Sequence, residues 1–325
     1  MKQVEDVEAI RFVRKLRGGS QPVLIEASDG LLYVVKFSNN LQGPNLLFNE
    51  AIGTELFRAA GLPVPAWRPI MISESFLEAN PDCWLETAFD RCKPAAGLGF
   101  GSRYLDRGES RIFEILAGGY FSRVRERKNF WTAWVLDVLS EHTDNRQALF
   151  LESASRWLDA YFIDHGHLLG GAWGTKTPVF KASRYLDARI YAEVSEEVGA
   201  AVMQAILGID VEVLAAAGER VPAEWKTPSA WARFSELLER ISNRSQMEST
   251  TNFVLGLTGK ESANKDHERR LAHCGIGTEA THLCAPIQRP IYASSSFARS
   301  GSSLGDPGRL GPQAVLTPWL KAASF

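Results

Sequence analysis

Two aspartates, each set at the edge of an apolar run, constrain this chain more than any other feature. The stretch from Trp134 to Gly166 opens Trp134-Val-Leu-Asp-Val-Leu-Ser-Glu-His142-Thr-Asp144-Asn-Arg-Gln147-Ala-Leu-Phe150-Leu and closes Ala160-Tyr-Phe-Ile-Asp164-His-Gly166. Asp144 follows a largely apolar helix predicted over Asn129-Phe-Trp-Thr-Ala-Trp-Val-Leu-Asp-Val-Leu-Ser, and Asp164 ends a predicted strand, Tyr161-Phe-Ile. A carboxylate fixed at the end of a buried element can hold a metal ion or orient a nucleophile. Taken singly, each is equally an aspartate in a turn or at a strand end, where Asp is common.

With 325 residues, 45% hydrophobic and 10% aromatic, the chain can bury one large core or two smaller ones. A formal net charge of -2 gives no basic field for nucleic acid, and no apolar run reaches bilayer-spanning length. The acidic start, Met1-Lys-Gln-Val-Glu-Asp-Val-Glu, lacks the apolar core of a signal peptide. Cysteines 83, 92, 274 and 284 are too few for a disulfide framework, so free thiols and a cytoplasmic location are expected.

The N-terminal part reads as strands: Ile10 to Leu16, then Val23-Leu-Ile-Glu-Ala, then Leu31 to Phe37. The Gly18-Gly19-Ser20 turn can bring backbone amides close to a phosphate, and Lys36 can reach the same phosphates. A plain hairpin turn and an edge-strand lysine account for them as well. The segment from Asn45 to Gly61 has helical spacing and carries Glu50 in its first turn, fourteen residues after Lys36. Pro63-Val-Pro65 leads to a strand from Trp67 to Ile72, and Trp84 to Phe89 is a strand or hinge before a second lobe. The glycine-rich stretch from Asp90 to Leu105 reads as loop. Helical stretches follow at Arg111 to Gly118, Phe121 to Arg127, Arg184 to Leu207, Val211 to Ala217 and Trp231 to Ile241, whereas His167 to Pro178 is loop-like.

Composition changes after Gln246, where Ser294-Ser-Ser and Ser300-Gly-Ser-Ser-Leu-Gly-Asp-Pro-Gly mark a tail without sustained period, expected to be disordered over 246–325. His267, His273, Cys274, His282 and Cys284 fall in it, at spacings that match no standard zinc site.

Taken in order, Arg17-Gly-Gly-Ser20, Tyr33-Val-Val-Lys36-Phe, Phe48-Asn-Glu50, Gly61-Leu-Pro-Val-Pro65, His142-Thr-Asp144-Asn-Arg-Gln-Ala-Leu-Phe150 and Phe162-Ile-Asp164-His-Gly166 resemble the HipA-like kinase-domain family of bacteria over roughly residues 8–245. The resemblance implies an α+β, two-lobed protein-kinase-like fold. A small antiparallel-sheet N-lobe with one helix would cover residues 1–90, and a mostly helical C-lobe 91–245. It also implies ATP with Mg2+, and serine or threonine phosphorylation of a protein; the sequence itself leaves a small-molecule acceptor open. In such a fold the protein mainly positions reactants and neutralises charge. By position, Gly18, Gly19 and Ser20 would form the phosphate loop, and Lys36 would be the phosphate-contacting lysine, paired with Glu50. Asp144 would be the base and Asp164 the principal metal ligand. The second metal-binding Asn of kinases falls on Leu149, which cannot bind magnesium, leaving Asn145 and Gln147 as nearby amide oxygens. Substitution by Gln147, a single-metal slow enzyme, and a kinase-shaped pseudokinase that binds nucleotide or a protein partner without transfer are the three resulting readings.

Overall fold

The computed structural model describes residues 7–105, 111–174, 183–191 and 193–257, all within one compact unit. Short runs rich in Val, Ile and Tyr give β1 (Ala9–Lys15), β2 (Val23–Ala27) and β3 (Leu32–Lys36), close to the predicted bounds. Next come α1 (Leu46–Ala59), β4 (Trp67–Ile72), α2 (Glu74–Ala79), β5 (Leu85–Glu86), β6 (Arg91–Cys92) and β7 (Gly97–Arg103). A five-stranded antiparallel sheet in the order β1-β2-β3-β7-β4 forms the N-lobe. Its outer face buries Val23, Ile25, Val35, Ile70 and Ile72 against Phe76 and Leu77 of α2.

β7 overturns the reading of Asp90 to Leu105 as loop, and with it the lobe boundary at residue 90. The strand pairs with β3 (Lys36 opposite Phe100) and with β4 (Ile70 opposite Gly99). Its glycines serve close packing: a Cβ on Gly101 would lie 2.4 Å from Ile70 Cγ1 and 3.2 Å from the Arg68 carbonyl. In sequence, such a glycine looks like one that breaks structure.

The C-lobe comprises β8 (Ile112–Phe113), α3 (Asn129–Leu139), β9 (Gln147–Glu152), β10 (Leu158–Ile163), α4 (Glu196–Leu207), α5 (Val211–Arg220) and α6 (Pro228–Ser242). Arg111 to Gly118 is thus not helical: β8 pairs with β9, which pairs with β10. Gly118–Arg123 is a 3-10 helix, and among the described residues from Arg184 to Leu207 only a 3-10 turn and α4 are helical. Apolar nearly all round, α3 buries Phe130, Trp131, Ala133, Trp134, Val135, Leu136 and Leu139 at the centre of the lobe. Ser195, Asp210 and Thr227 each cap a following helix through a side-chain oxygen, and Pro228 takes the first turn of α6.

Two departures from expectation concern how helices pack into the C-lobe. α1 packs into the C-lobe core through Leu46, Phe48, Ile52, Leu56 and Phe57 instead of standing on the N-lobe alone. A further helix, α7 (244–257), runs past the Gln246 boundary and buries Met247, Thr251 and Val254. The rest of the tail, including its His and Cys residues, lies outside the described residues.

Candidate active site

Three elements deliver the central cluster. Lys36 ends β3, Glu50 stands in the second turn of α1, and Asp164 follows β10. Lys36 Nζ donates to Glu50 Oε1 and to Asp164 Oδ1, the latter at 2.8 Å. One sequence expectation changes here: Glu50 stands in the second turn of α1, not the first, and it is buried. Its carboxylate also accepts from the backbone amides of His165 (3.1 Å) and Gly166 (3.0 Å). Gly166 permits this approach, since a Cβ there would lie 2.3 Å from Leu46 Cδ1 and 3.0 Å from Glu50 Oε1.

Charge in the cluster is unbalanced, with two carboxylates against one ammonium. Burial alone would lower Lys36, but Asp164 and Glu50 outweigh it and raise the ammonium well above its ordinary range. Burial lifts Glu50; Lys36 pulls against that, and the charge of Asp164 adds to it. For Asp164 the attraction of Lys36 outweighs burial and holds the carboxyl well below the usual range.

Beside the cluster opens a cavity of about 860 Å³, lined by Gly18 and Ser20 of the β1–β2 turn and by Lys36, Glu50, Asp164, Asn145 and Gln147. Val34, Phe100, Leu149 and Phe162 supply apolar walls. Ser20 is buried, and its carbonyl accepts from Asn40 Nδ2 at 2.8 Å. Gly19 faces the Gln42 amide, 2.7 Å from where its Cβ would be. Leu149, at the position of the kinase Asn, lies within β9 opposite Tyr161 and lines the cavity. Gln147 starts β9 opposite Ile163, and its Nε2 donates to Asp164 Oδ2 at 2.7 Å.

Asp144 is the residue least drawn into the cluster. It is half-buried, lies outside the cavity lining, and accepts at Oδ1 from its neighbour's amide, Asn145 N, at 2.7 Å. His142 is fully enclosed, with neither ring nitrogen hydrogen-bonded; burial, then Arg146, hold its pKa well below the ordinary value, so it is neutral.

Sequence reasoning missed three buried polar groups that shape the site. Asp137 binds Arg146 through both carboxylate oxygens, and Arg146 reaches the backbone around Asp164. Asn49 Nδ2 donates to the carbonyls of Gly166 (3.0 Å), Leu168 (2.8 Å) and Gly171 (3.3 Å), fixing the loop after Asp164. The available signal was a single acid, Asp137, inside an otherwise apolar helix, since a charged residue is almost never fully buried unless paired.

No family model and no curated protein matches this sequence. Among solved structures, a Helicobacter pylori proinflammatory kinase, CtkA, is similar with a TM-score of 0.50 at 12% identity, over 74% of this chain and 96% of that one. A Golgi casein kinase with Mn and ADP bound aligns at 0.43 and 12% identity, covering 76% of this chain and 72% of that chain. A second Golgi casein kinase structure aligns at 0.40 and 10% identity, over 76% and 74% respectively. The likeness to the Helicobacter pylori kinase is one of fold: this chain has the α+β, two-lobed protein-kinase-like fold.

Proposed function

We propose that this chain is an ATP- and Mg2+-dependent phosphotransferase resembling the HipA-like kinases, acting on a serine or threonine hydroxyl in the cytoplasm. The observation that carries this reading is the meeting of Lys36, Glu50 and Asp164 from three separate elements, at one wall of a cavity that Gly18 and Ser20 also line.

The residues fit the group they would hold. Magnesium prefers one or two carboxylates together with phosphate and water, and Asp164 beside Gln147 offers that donor set. Excess negative charge at the Lys36 cluster favours a further cation there. Gln147 now presents its amide nitrogen to Asp164; turned over, it would present its oxygen. When bound, Mg·ATP would supply the transferable phosphoryl group and the charge that neutralises it. Lys36 would contact phosphate, Glu50 would hold Lys36 in place, and the apolar walls would sandwich the flat base. Asp144 Oδ2, without a partner among the described residues, would accept the hydroxyl proton.

A second reading, a pseudokinase that binds nucleotide without transfer, is favoured by Leu149 in place of the amide ligand and by the place of Asp144 outside the cavity lining. Transfer of labelled γ-phosphate to the chain itself, to candidate acceptors and to water decides between them. The enzyme reading expects transfer that is abolished in Asp164→Asn and reduced in Asp144→Ala and Gln147→Ala. Nucleotide-dependent stabilisation without any transfer would establish the binding module, and neither signal would sink both.

A further inference from the structure

We infer that Arg146 is a positioning residue for Asp164, holding the peptide units on which the metal-binding carboxylate is mounted; this rests on the nucleotide reading given above. Asp164 has left-handed backbone, φ 59°, uncommon for a non-glycine residue though Asp tolerates it better than most. Its surroundings form a two-sided clamp. On one side the guanidinium Nη1 of Arg146 donates to the carbonyls of Ile163 (2.9 Å) and Asp164 (3.3 Å). On the other, Glu50 accepts the next two amides, from His165 and Gly166. The carbonyls leading into and out of Asp164 are thus bound by Arg146, and the amides that follow are bound by Glu50.

Arg146 is itself immobilised. It is 2% exposed, its Nε and Nη2 bind the fully buried Asp137 on α3, and its guanidinium lies 4.7 Å from the Phe57 ring centroid on α1. One planar fork therefore ties the central helix of the C-lobe to the turn that carries Asp164. Lysine cannot replace it: a single ammonium can satisfy Asp137 or the carbonyls, but its point charge cannot span both in one plane. A group that orients a metal ligand in this way controls metal affinity.

The test titrates Mg2+ against the full chain with ATP, alongside ATP binding without metal, in wild type, Arg146→Lys and Asp137→Asn, with folding checked by circular dichroism. The Mg2+-dependent part of ATP binding is expected to weaken roughly 10–100-fold in Arg146→Lys, with metal-free ATP binding unchanged. Asp137→Asn, which keeps the shape of the pair, should move the same way by less, and stands in if Arg146→Lys does not fold. Unchanged Mg2+ dependence, or equal loss with and without metal, would assign Arg146 a purely structural role. A wild-type chain that binds no ATP under either condition would instead remove the nucleotide reading, and the positioning role with it.

Discussion

At the scale of single residues, Lys36 separates what sequence shows from what only packing shows. Its place late in a strand, fourteen residues before Glu50, was legible, and so was Asp164 at a strand end. That Lys36 is buried and answers two carboxylates at once was not, because burial depends on α1 packing into the other lobe. Lys36→Met therefore should do more than remove a phosphate contact. Breaking a buried charge pair costs about 3–5 kcal/mol, with the part-exposure of Asp164 placing the loss at the low end, measured by urea denaturation. A midpoint equal to wild type would mean that the cluster adds nothing to stability. The pH dependence has a definite sign. Asp164 is depressed, so its contribution is complete above the unfolded carboxyl value near pH ~4 and disappears as pH falls further. Lys36 is raised, so its contribution is complete below about pH 10.4 and fades as pH rises beyond that. The stability gap between wild type and Asp164→Asn should accordingly be widest from pH 5 to 9 and narrow towards pH 3, and a gap that grew on acidification would contradict the assignment.

Among elements, β2, β3, β4, α3, α5 and α6 were readable from their residue patterns and fall close to prediction. β7 was hidden, since Gly97, Gly99 and Gly101 remove the alternation that marks a strand while serving its packing. Gly101→Ala should lower stability by ~1–3 kcal/mol through overpacking against Ile70. Gly119→Ala, where an added Cβ meets nothing within 4 Å, should be nearly neutral. Equal melting temperatures for the two variants would remove the packing explanation of the strand's glycines. β8 was hidden for a different reason. Two paired residues, Ile112 and Phe113, are too few to show a period, and only their partners on β9 define them.

For the whole molecule, composition located a change near Gln246, but the fold runs on. α7 places Met247 and Val254 in the C-lobe core, and a chain ending at residue 243 would leave that core uncovered. Such a chain should be less stable than one ending at 257, by about 1.5–3 kcal/mol for each buried apolar side chain lost. Equal melting temperatures for the two would show that α7 is dispensable.

The Lys36, Glu50 and Asp164 cluster and its cavity are proposed as a site for nucleotide with a divalent cation. Thermal denaturation across a Mg·ATP titration tests it most directly, because a ligand bound only by the folded state stabilises by mass action, about 2.7 kcal/mol at a hundred times its dissociation constant. The melting temperature is expected to climb with Mg·ATP in wild type and to stay flat in Asp164→Asn. A flat wild-type titration, or an equal climb in both, would contradict that proposal.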